Sequence, residues 1–526
     1  MKKKVKKIVD KLSLPTLMPI VPPSRALRSV TSKTGKGVYA SSDTLFKGAV
    51  FGRDSLEVAE DLMLYKPRLV RNILLTLGSL QGEESNNLSE EEPGKIVHEY
   101  RTTMVDGKRI DDVSRHIFEE LSGKWGGDEE SVAYYGSIDA TPHFIRVLLA
   151  YHNQYGDKIL HKSVTLRSGH KLPMSIILEN SVSWLVTKLT ESKSGLLEWQ
   201  ARNPHGIPNQ VWKDSNEFYI HENKELANHN APIASIEVQG LAYDALMLAS
   251  EHFDAKSKEL QMIAAQLRDR TIALLWQPGR KYFALGADYD AKGALRIIQT
   301  MTANPAALLD TMFFDQLPDE QRQEYVTAII RTILSREFLT DAGIRSRALR
   351  ESKLIGFWDY HGSFVTWPKE THDIAKGLRR QGFSQISREL ENRLLNVIMK
   401  SGQYPEFIYV DEWGRVLASS PSPHEHGDFV LVESTNHPES IQAWTVSAVM
   451  SIVAERLRSK VKKPQKLERD EWQVELEAKM LIHMPRVNRL FTPWSLSARY
   501  PTYPYKINKR DNMPRVQPVI QTVGKS

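Results

Sequence analysis

Apolar residues recur at helical spacing along most of the chain, and breaker residues cut the pattern into segments that come in pairs. The first pair covers roughly 54–65 and 67–81, broken at Lys66-Pro67; the second covers 139–154 and 174–191. The third reads EVQGLAYDALMLASEHF and then KSKELQMIAAQLRDRTIALLW, within 233–253 and 256–276. A Leu-Pro-Asp break separates 302–315 from 318–335, and Gly382 separates 367–382 from 384–400. Segments 437–457 and 469–482 complete six pairs, about twelve helices in all. The pattern predicts a mainly α fold, a ring of six helical hairpins.

Turns inside several pairs are tight, whereas the links between pairs are long: 82–138, 192–232, 277–301, 336–366 and 401–436. Links of this length in a compact domain usually carry function. In a closed ring of antiparallel hairpins they emerge on one rim, beside the start of the first helix of each pair. Chemistry is therefore expected there.

The unusual residue clusters fall on that rim. Phe51-Gly52-Arg53-Asp54 opens the first helix, and Tyr134-Tyr135-Gly136-Ser137-Ile138-Asp139 opens the third. Trp212-Lys213-Asp214-Ser215 lies in the link before the helix that opens with Glu237-Val238-Gln239-Gly240. Tyr360-His361-Gly362-Ser363 and Trp367-Pro368 precede the ninth helix, and Tyr404-Pro405-Glu406-Phe407 precedes the eleventh, which carries Gln442-Ala443-Trp444. Carboxylates, indoles, phenols, Arg and His in this mixture suit sugar binding: aromatic faces stack on C–H faces while charged groups grip hydroxyls.

Composition narrows the picture. With 526 residues and 41% hydrophobic content, the chain has enough apolar material for a large core. The net charge of +6 is concentrated in MKKKVKKIVDKL, six Lys and one Asp, so the remaining body is close to neutral. That basic stretch reads as a solvated terminus, and neither nucleic acid nor membrane insertion is expected. The residues after it are broken by Asp10, Lys11 and several prolines, which is not the continuous apolar core of a signal peptide. There is no cysteine, which removes thiolate metal sites and Cys nucleophiles and fits a cytoplasmic protein. Residues 1–40 read as a basic N-terminal arm, 41–483 as the catalytic ring, and 484–526 as a tail that wraps the ring or is partly disordered.

Glycoside hydrolysis requires two carboxyl groups, one to protonate the leaving oxygen and one to activate water or attack the anomeric carbon. The rim offers Asp54, Asp139, Asp214, Glu237 and Glu406, and spacing alone does not choose between them. FGRDSLEVAEDLMLYKPRLVRNILLTLGSLQG, EEPGKIVHEYR, YYGSIDATPHF, VWKDS, EVQGLAYDAL, YHGSFVTWP, YPEF and IQAWTVSA follow one another between about residues 50 and 455. That ordered set resembles the six-hairpin, or (α/α)6-barrel, glycosidases. It is closest to the amylo-α-1,6-glucosidase domain of glycogen-debranching proteins, with mannosylglycerate hydrolase, α-glucosidase I and trehalase more distant.

The resemblance implies an inverting glycoside hydrolase acting on a terminal α-glycosidic bond, with an α-1,6-glucosidic bond as the named expectation. Asp214 becomes the general acid and Glu406 the general base, about 6.5–9.5 Å apart with a water between them and the anomeric carbon. Trp212 is expected to desolvate Asp214 and keep it protonated, with the Lys213 side chain pointing elsewhere. Arg53 and Asp54 match the motif that grips the non-reducing-end sugar. Glu99, Arg101, Tyr135, Asp139, Trp212, Glu237, Gln239, Tyr360, His361 and Trp367 are expected to line the same pocket. The partner is an oligosaccharide or small glycoside; no cofactor or metal is expected, and no signal points to an oligomeric state.

Bland readings stand beside these. Asp54 and Asp139 also fit helix caps or first-turn acids, Trp444 fits a core position, and Arg53 fits a simple ion pair. His372-Asp373 reads as a helix-start pair. His424-Glu425-His426 with Asp428 looks like a metal cluster but sits among Ser and Pro without a scaffold, so it reads as a solvated loop. Only about 50 residues precede Gly52, too few for the β-rich domain that debranching proteins usually carry there. That leaves small α-glycosides of the mannosylglycerate, glucosylglycerate or trehalose type, and an inactive sugar-binding homologue, as alternatives.

Overall fold

The computed structural model describes residues 21–35, 37–42, 46–356, 359–417, 438–461 and 469–485. Its helices are α1 (Pro23–Ser29), α2 (Gly52–Leu62), α3 (Pro67–Ser79), α4 (Asp112–Trp125), α5 (Ala140–Tyr155), α6 (Met174–Glu191) and α7 (Ile236–His252). They continue with α8 (Ser257–Leu275), α9 (Asp319–Ile333), α10 (Pro368–Arg380), α11 (Ser384–Ser401), α12 (Ala443–Val461) and α13 (Glu471–His483). Helix α2 packs on α5, α5 on α7, α7 on the 3-10 segment Asn304–Asp310, that segment on α10, α10 on α12, and α12 back on α2. This closed inner circle, with α3, α6, α8, α9 and α11 each packed outside its hairpin partner, is the (α/α)6 toroid.

Burial separates the two layers as amphipathicity dictates. Inner α2 buries ten of its eleven residues and α7 thirteen of seventeen, so both touch protein on all sides. Outer α9 buries five of fifteen, Tyr325, Val326, Ile329, Ile330 and Ile333, a single stripe facing inward. Hairpin turns follow the breakers: Pro67 opens α3, where its missing N–H removes no bond, and Gly382 turns the chain into α11 at φ +87°.

Two elements differ from the periodic reading. The expected helix over 302–315 is two 3-10 turns, Asn304–Asp310 and Met312–Phe314, the second begun by Thr311 accepting from Phe313 N. Its neighbours press close: a Cβ on Gly377 of α10 would lie 2.7 Å from Leu309 and Asp310, and one on Gly240 of α7 would lie 2.9 Å from Leu308. The sixth hairpin also differs. Helix α13 packs on α11 and α9, while α1, from the stretch read as an arm, packs on α12. Ala26, Leu27, Val30, Val38 and Tyr39 belong to the main core.

The long links carry short strands that sequence periodicity is too brief to show. Strands β1 (Val50–Phe51), β2 (Glu99–Thr102) and β3 (Ser131–Tyr134) form one antiparallel sheet with Phe51 opposite Glu99. Strands β4 (Glu198–Trp199), β5 (Ile233–Ser235), β6 (Gly286–Tyr289) and β7 (Leu295–Ile298) pair in the order β7-β6-β5-β4. Strands β8 (Val365–Thr366) and β9 (Ile408–Tyr409) pair with Thr366 opposite Ile408, which sets Trp367 beside Phe407. Among the described residues no helix is long and apolar enough to cross a membrane. The His424-Glu425-His426 cluster, residues 1–20 and residues 486–526 lie outside the described residues.

Candidate active site

The N-terminal ends of the inner helices converge on the strand-bearing rim. Arg53 and Asp54 stand in the first turn of α2, Asp139 at the N-cap position of α5, Glu237 in the first turn of α7, and Gln442 just before α12. Asp139 does not cap its helix. Its carboxylate instead takes a two-pronged contact from Arg53, Nε to Oδ2 at 2.8 Å and Nη2 to Oδ1 at 3.2 Å, and a further bond from Ser137. Burial pushes Asp139 up, but Arg53 and the Ser137 hydroxyl outweigh it and hold the carboxyl below its ordinary value.

Three other carboxyls behave oppositely. Asp54 accepts a 3.1 Å bond from Gln442 Nε2, and burial pushes it up to about 7 against the pull of Arg53. Glu406 accepts from the Tyr360 hydroxyl at 2.5 Å and from Glu439 N at 3.4 Å; burial pushes it up to about 8. Asp214, half-buried in a turn that Asn209 fixes through Ser215 O, is pushed up to about 6 by desolvation, with Arg53 opposing. Asp54 and Asp214 each raise Glu406, so the three share one field. The backbone of 404–406 hydrogen-bonds along 439–442, which fixes Glu406 beside the start of α12.

An aromatic wall joins these groups. Trp212, Trp367, Phe407, Tyr409 and Trp444 form one buried cluster with Tyr360 against it. The Trp212 indole donates to Glu237 Oε2 at 2.9 Å, His361 stacks on Trp367 with centroids 4.9 Å apart, and Tyr360 meets Trp367 edge-on at 5.0 Å. His361 Nδ1 lies 3.1 Å from Ser215 Oγ, and burial beside Lys213 and Arg53 holds its pKa well below the ordinary value. Lys213 is fully buried, donates to Glu370 at 2.5 Å and Asn304 at 2.7 Å, and so leaves Asp214 alone. Glu99, paired with Arg101 on β2, adds its charge to the environment of Asp214.

Two expected pocket residues face other ways. The Tyr135 hydroxyl donates to Leu80 O at 3.0 Å and meets Arg167, and Gln239 occupies its amide on Leu197 and Ser235 backbone atoms. Conversely, Gln442 and Trp444 join the site, as does Lys369, whose ammonium lies 5.0 Å over the Trp212 ring. Their helix-start positions were readable, but apolar neighbours made Trp444 look like core. Lys369 also bridges Glu57 and Asp373, at 2.9 and 2.8 Å. His372 turns from Asp373 to Asp61, at 3.1 Å.

A cavity of about 70 Å³ under Arg53, Asp139, Trp212 and Glu237 continues down the ring axis; a groove of about 650 Å³ against α6 touches none of the candidate carboxyls. Along the axis, Glu57, Glu60 and His143 lie close enough to share a metal ion. Lys369 and Arg146 already meet those carboxylates, at 2.9 and 2.7 Å, so protein cations occupy the role a metal would have.

No protein-family model and no curated protein matches the sequence. Solved structures do. A mannosylglycerate hydrolase of family GH63 from Thermus thermophilus, in complex with Tris, aligns with TM-score 0.52 at 12% identity, covering 82% of this chain and 100% of that one. The same protein in complex with glucose gives 0.51 at 12%, covering 82% and 99%. A structure named as a wild-type glycosidase gives 0.48 at 11%, covering 83% and 96%. At such identities the shared property is the fold, and this chain shares with the Thermus hydrolase the (α/α)6 ring.

Proposed function

We propose that the protein is an inverting glycoside hydrolase that cleaves a terminal α-glycosidic bond, with an α-1,6-glucosidic bond as the first substrate to try. The observation that carries this reading is the convergence of Asp54, Asp214 and Glu406 on one aromatic-walled rim, each raised into the range where proton transfer at neutral pH is efficient. Asp214 is the general acid: no side chain among the described residues donates to its carboxyl, so its protonated form is opposed mainly by Arg53. Glu406 is the general base: Tyr360 and Glu439 N both donate to it, so its oxygens stand as acceptors for a water proton. Arg53, Asp139 and Asp54 hold the terminal sugar, and Trp212 and Trp367 shape its walls. The debranching type is the named resemblance; a small α-glycoside is the alternative substrate, and the cytoplasm the proposed location.

A second reading exchanges the roles, because Glu406 rests higher than Asp214. Glycosyl fluorides separate the two, since fluoride leaves without a proton. Asp214→Asn is expected to keep hydrolysing a glycosyl fluoride while losing isomaltose and panose, and Glu406→Gln to lose both. The reverse pattern exchanges the assignment. NMR of the first-formed anomer tests inversion directly, and a retained anomer refutes it.

A further inference from the structure

Accepting the hydrolase reading, we infer that the glycoside taken by this site is uncharged, a neutral sugar on a neutral leaving group, and that carboxylate- or phosphate-bearing glycosides are excluded. Recognition of an anion calls for a cation with open donors, ideally an Arg fork. Among the described residues, each Lys and Arg at this rim is already paired with a carboxylate. Arg53 lies two-pronged on Asp139, Arg101 on Glu99, Lys213 on Glu370 and Asn304, and Lys369 between Glu57 and Asp373. Lys213 and Lys369 also sit over the Trp212 ring, at 4.5 and 5.0 Å. Two histidines beside the rim add no charge: His361 is held neutral by burial, and His98 is pushed down to about 3.

The acids are in the opposite condition. Asp54, Asp214, Glu237 and Glu406 make no ion pair with any described residue, and burial raises all four toward the uncharged form. What the site leaves open is uncharged hydrogen-bonding capacity. The indole N–H groups of Trp367 and Trp444, the amide oxygen of Gln442 and Oε1 of Glu237 are buried without a partner. A buried polar atom left unpaired is destabilising, and a hydroxyl, which donates and accepts, satisfies either kind. Two indole donors and two oxygen acceptors suit sugar hydroxyls, which use both kinds, whereas an ionised carboxylate can use only the donors.

This separates the chemistry from the fold. The Thermus hydrolase that shares the ring is named for mannosylglycerate, a glycoside whose leaving group carries a carboxylate. The paired cations here point instead to glycosylglycerols and neutral di- or oligosaccharides.

Matched substrates test it with the full-length protein. α-Glucosylglycerol and α-glucosylglycerate differ by a hydroxymethyl against a carboxylate, as do the corresponding mannosides. The neutral member is expected to have the higher kcat/KM at pH 7, by about 100-fold, because a carboxylate taken out of water without a cation of its own is costly. Equal or faster hydrolysis of a glycerate overturns the inference. Calorimetric titration with glucose, glucosamine and glucuronate needs no turnover: glucuronate is expected to bind at least ~10-fold more weakly than glucose, about 1.4 kcal/mol. If that order holds while no glycoside is hydrolysed, the hydrolase reading fails and the charge selectivity stands. Glucuronate binding as well as glucose, or no binding of any of the three, overturns the selectivity itself.

Discussion

Helix α2 carries two sets of acids that differ in their partners. Asp54, in its first turn, makes no ion pair and rises to about 7. Glu57, Glu60 and Asp61, one to two turns further along, meet Lys369, Arg146, His143, His372 and Lys376. Asp373 across the axis bridges Lys369 and Lys376, at 2.8 and 2.9 Å. Burial acts on both sets. Below the rim cations hold Glu60 and Asp373 under the ordinary carboxylate range, while burial still raises Glu57 beside Lys369; at the rim Arg53 holds Asp139 low but does not offset desolvation at Asp54 and Asp214, which rise with Glu406. A direct ion-pair partner, more than depth, thus separates structural ions from candidate proton-transfer groups. Perturbed carboxyls without a cation are the functional candidates; buried acids with one are scaffold.

The largest effect that tests this division is at the rim. Asp214→Asn or Glu406→Gln is expected to lower kcat on a natural glycoside by on the order of 10⁴-fold, the upper range for a lost acid or base. Neither change should weaken the fold, since neither carboxyl has an ion partner among the described residues and an amide keeps its shape and an accepting oxygen. Substantial turnover in both variants would end the assignment. Next in size is a change on the axis. Lys369→Met leaves Glu57 and Asp373 facing each other without their shared cation, and urea denaturation is expected to show a loss of about 3–5 kcal/mol. Unchanged stability would mean that the axial ions are not a scaffold.

What the chain reveals on reading follows the same physics. Helices survive inspection because periodicity is summed over many residues: α6, α7 and α11 lie within a few residues of the expected spans. The 3-10 segment did not, because Leu308, Leu309, Met312 and Phe313 are apolar at helical spacing while the close approach at Gly240 and Gly377 comes from other helices. Helix α1 was hidden by length, seven residues beside a basic terminus. At the site, residue type and helix-start position were enough to put Arg53, Asp54, Asp139 and Glu237 on one rim. Preference for Asp214 and Glu406 came from the ordered motifs. Side-chain direction was not legible: Tyr135 and Gln239 stand in the right segments, yet one hydroxyl reaches Leu80 and one amide closes on backbone. The ion pairs were equally hidden, because Lys369 reaches Glu57 across the ring, far away in sequence.

A smaller effect sharpens the role of Tyr360. Its hydroxyl favours ionised Glu406, so Tyr360→Phe removes a downward pull and Glu406 rises further. With Glu406 as base, the acidic limb of the kcat/KM profile should move to higher pH, with a loss of about 10-fold at pH 7, modest beside removal of the base itself. A fall in rate without movement of that limb would make Tyr360 a packing residue only.

The smallest effect is a matter of sign. Glu406 at about 8 is raised above its unfolded value of about 4.3, so its protonated form is preferred by the folded state. Its favourable contribution is complete below about pH 4 and is lost as pH climbs through 8. Asp373, held low by Lys369 and Lys376 against burial, contributes above about pH 4 and loses that contribution as pH falls. Thermal melts of single variants should therefore diverge in opposite directions. Glu406→Gln is expected to gain on wild type as pH rises from 5 to 9, by a few degrees. Asp373→Asn is expected to trail wild type at neutral pH and to close the gap as the solution is acidified. If both variants drift the same way with pH, the presence of a cation partner does not separate scaffold from chemistry, and the raised rim acids lose their claim to be a site.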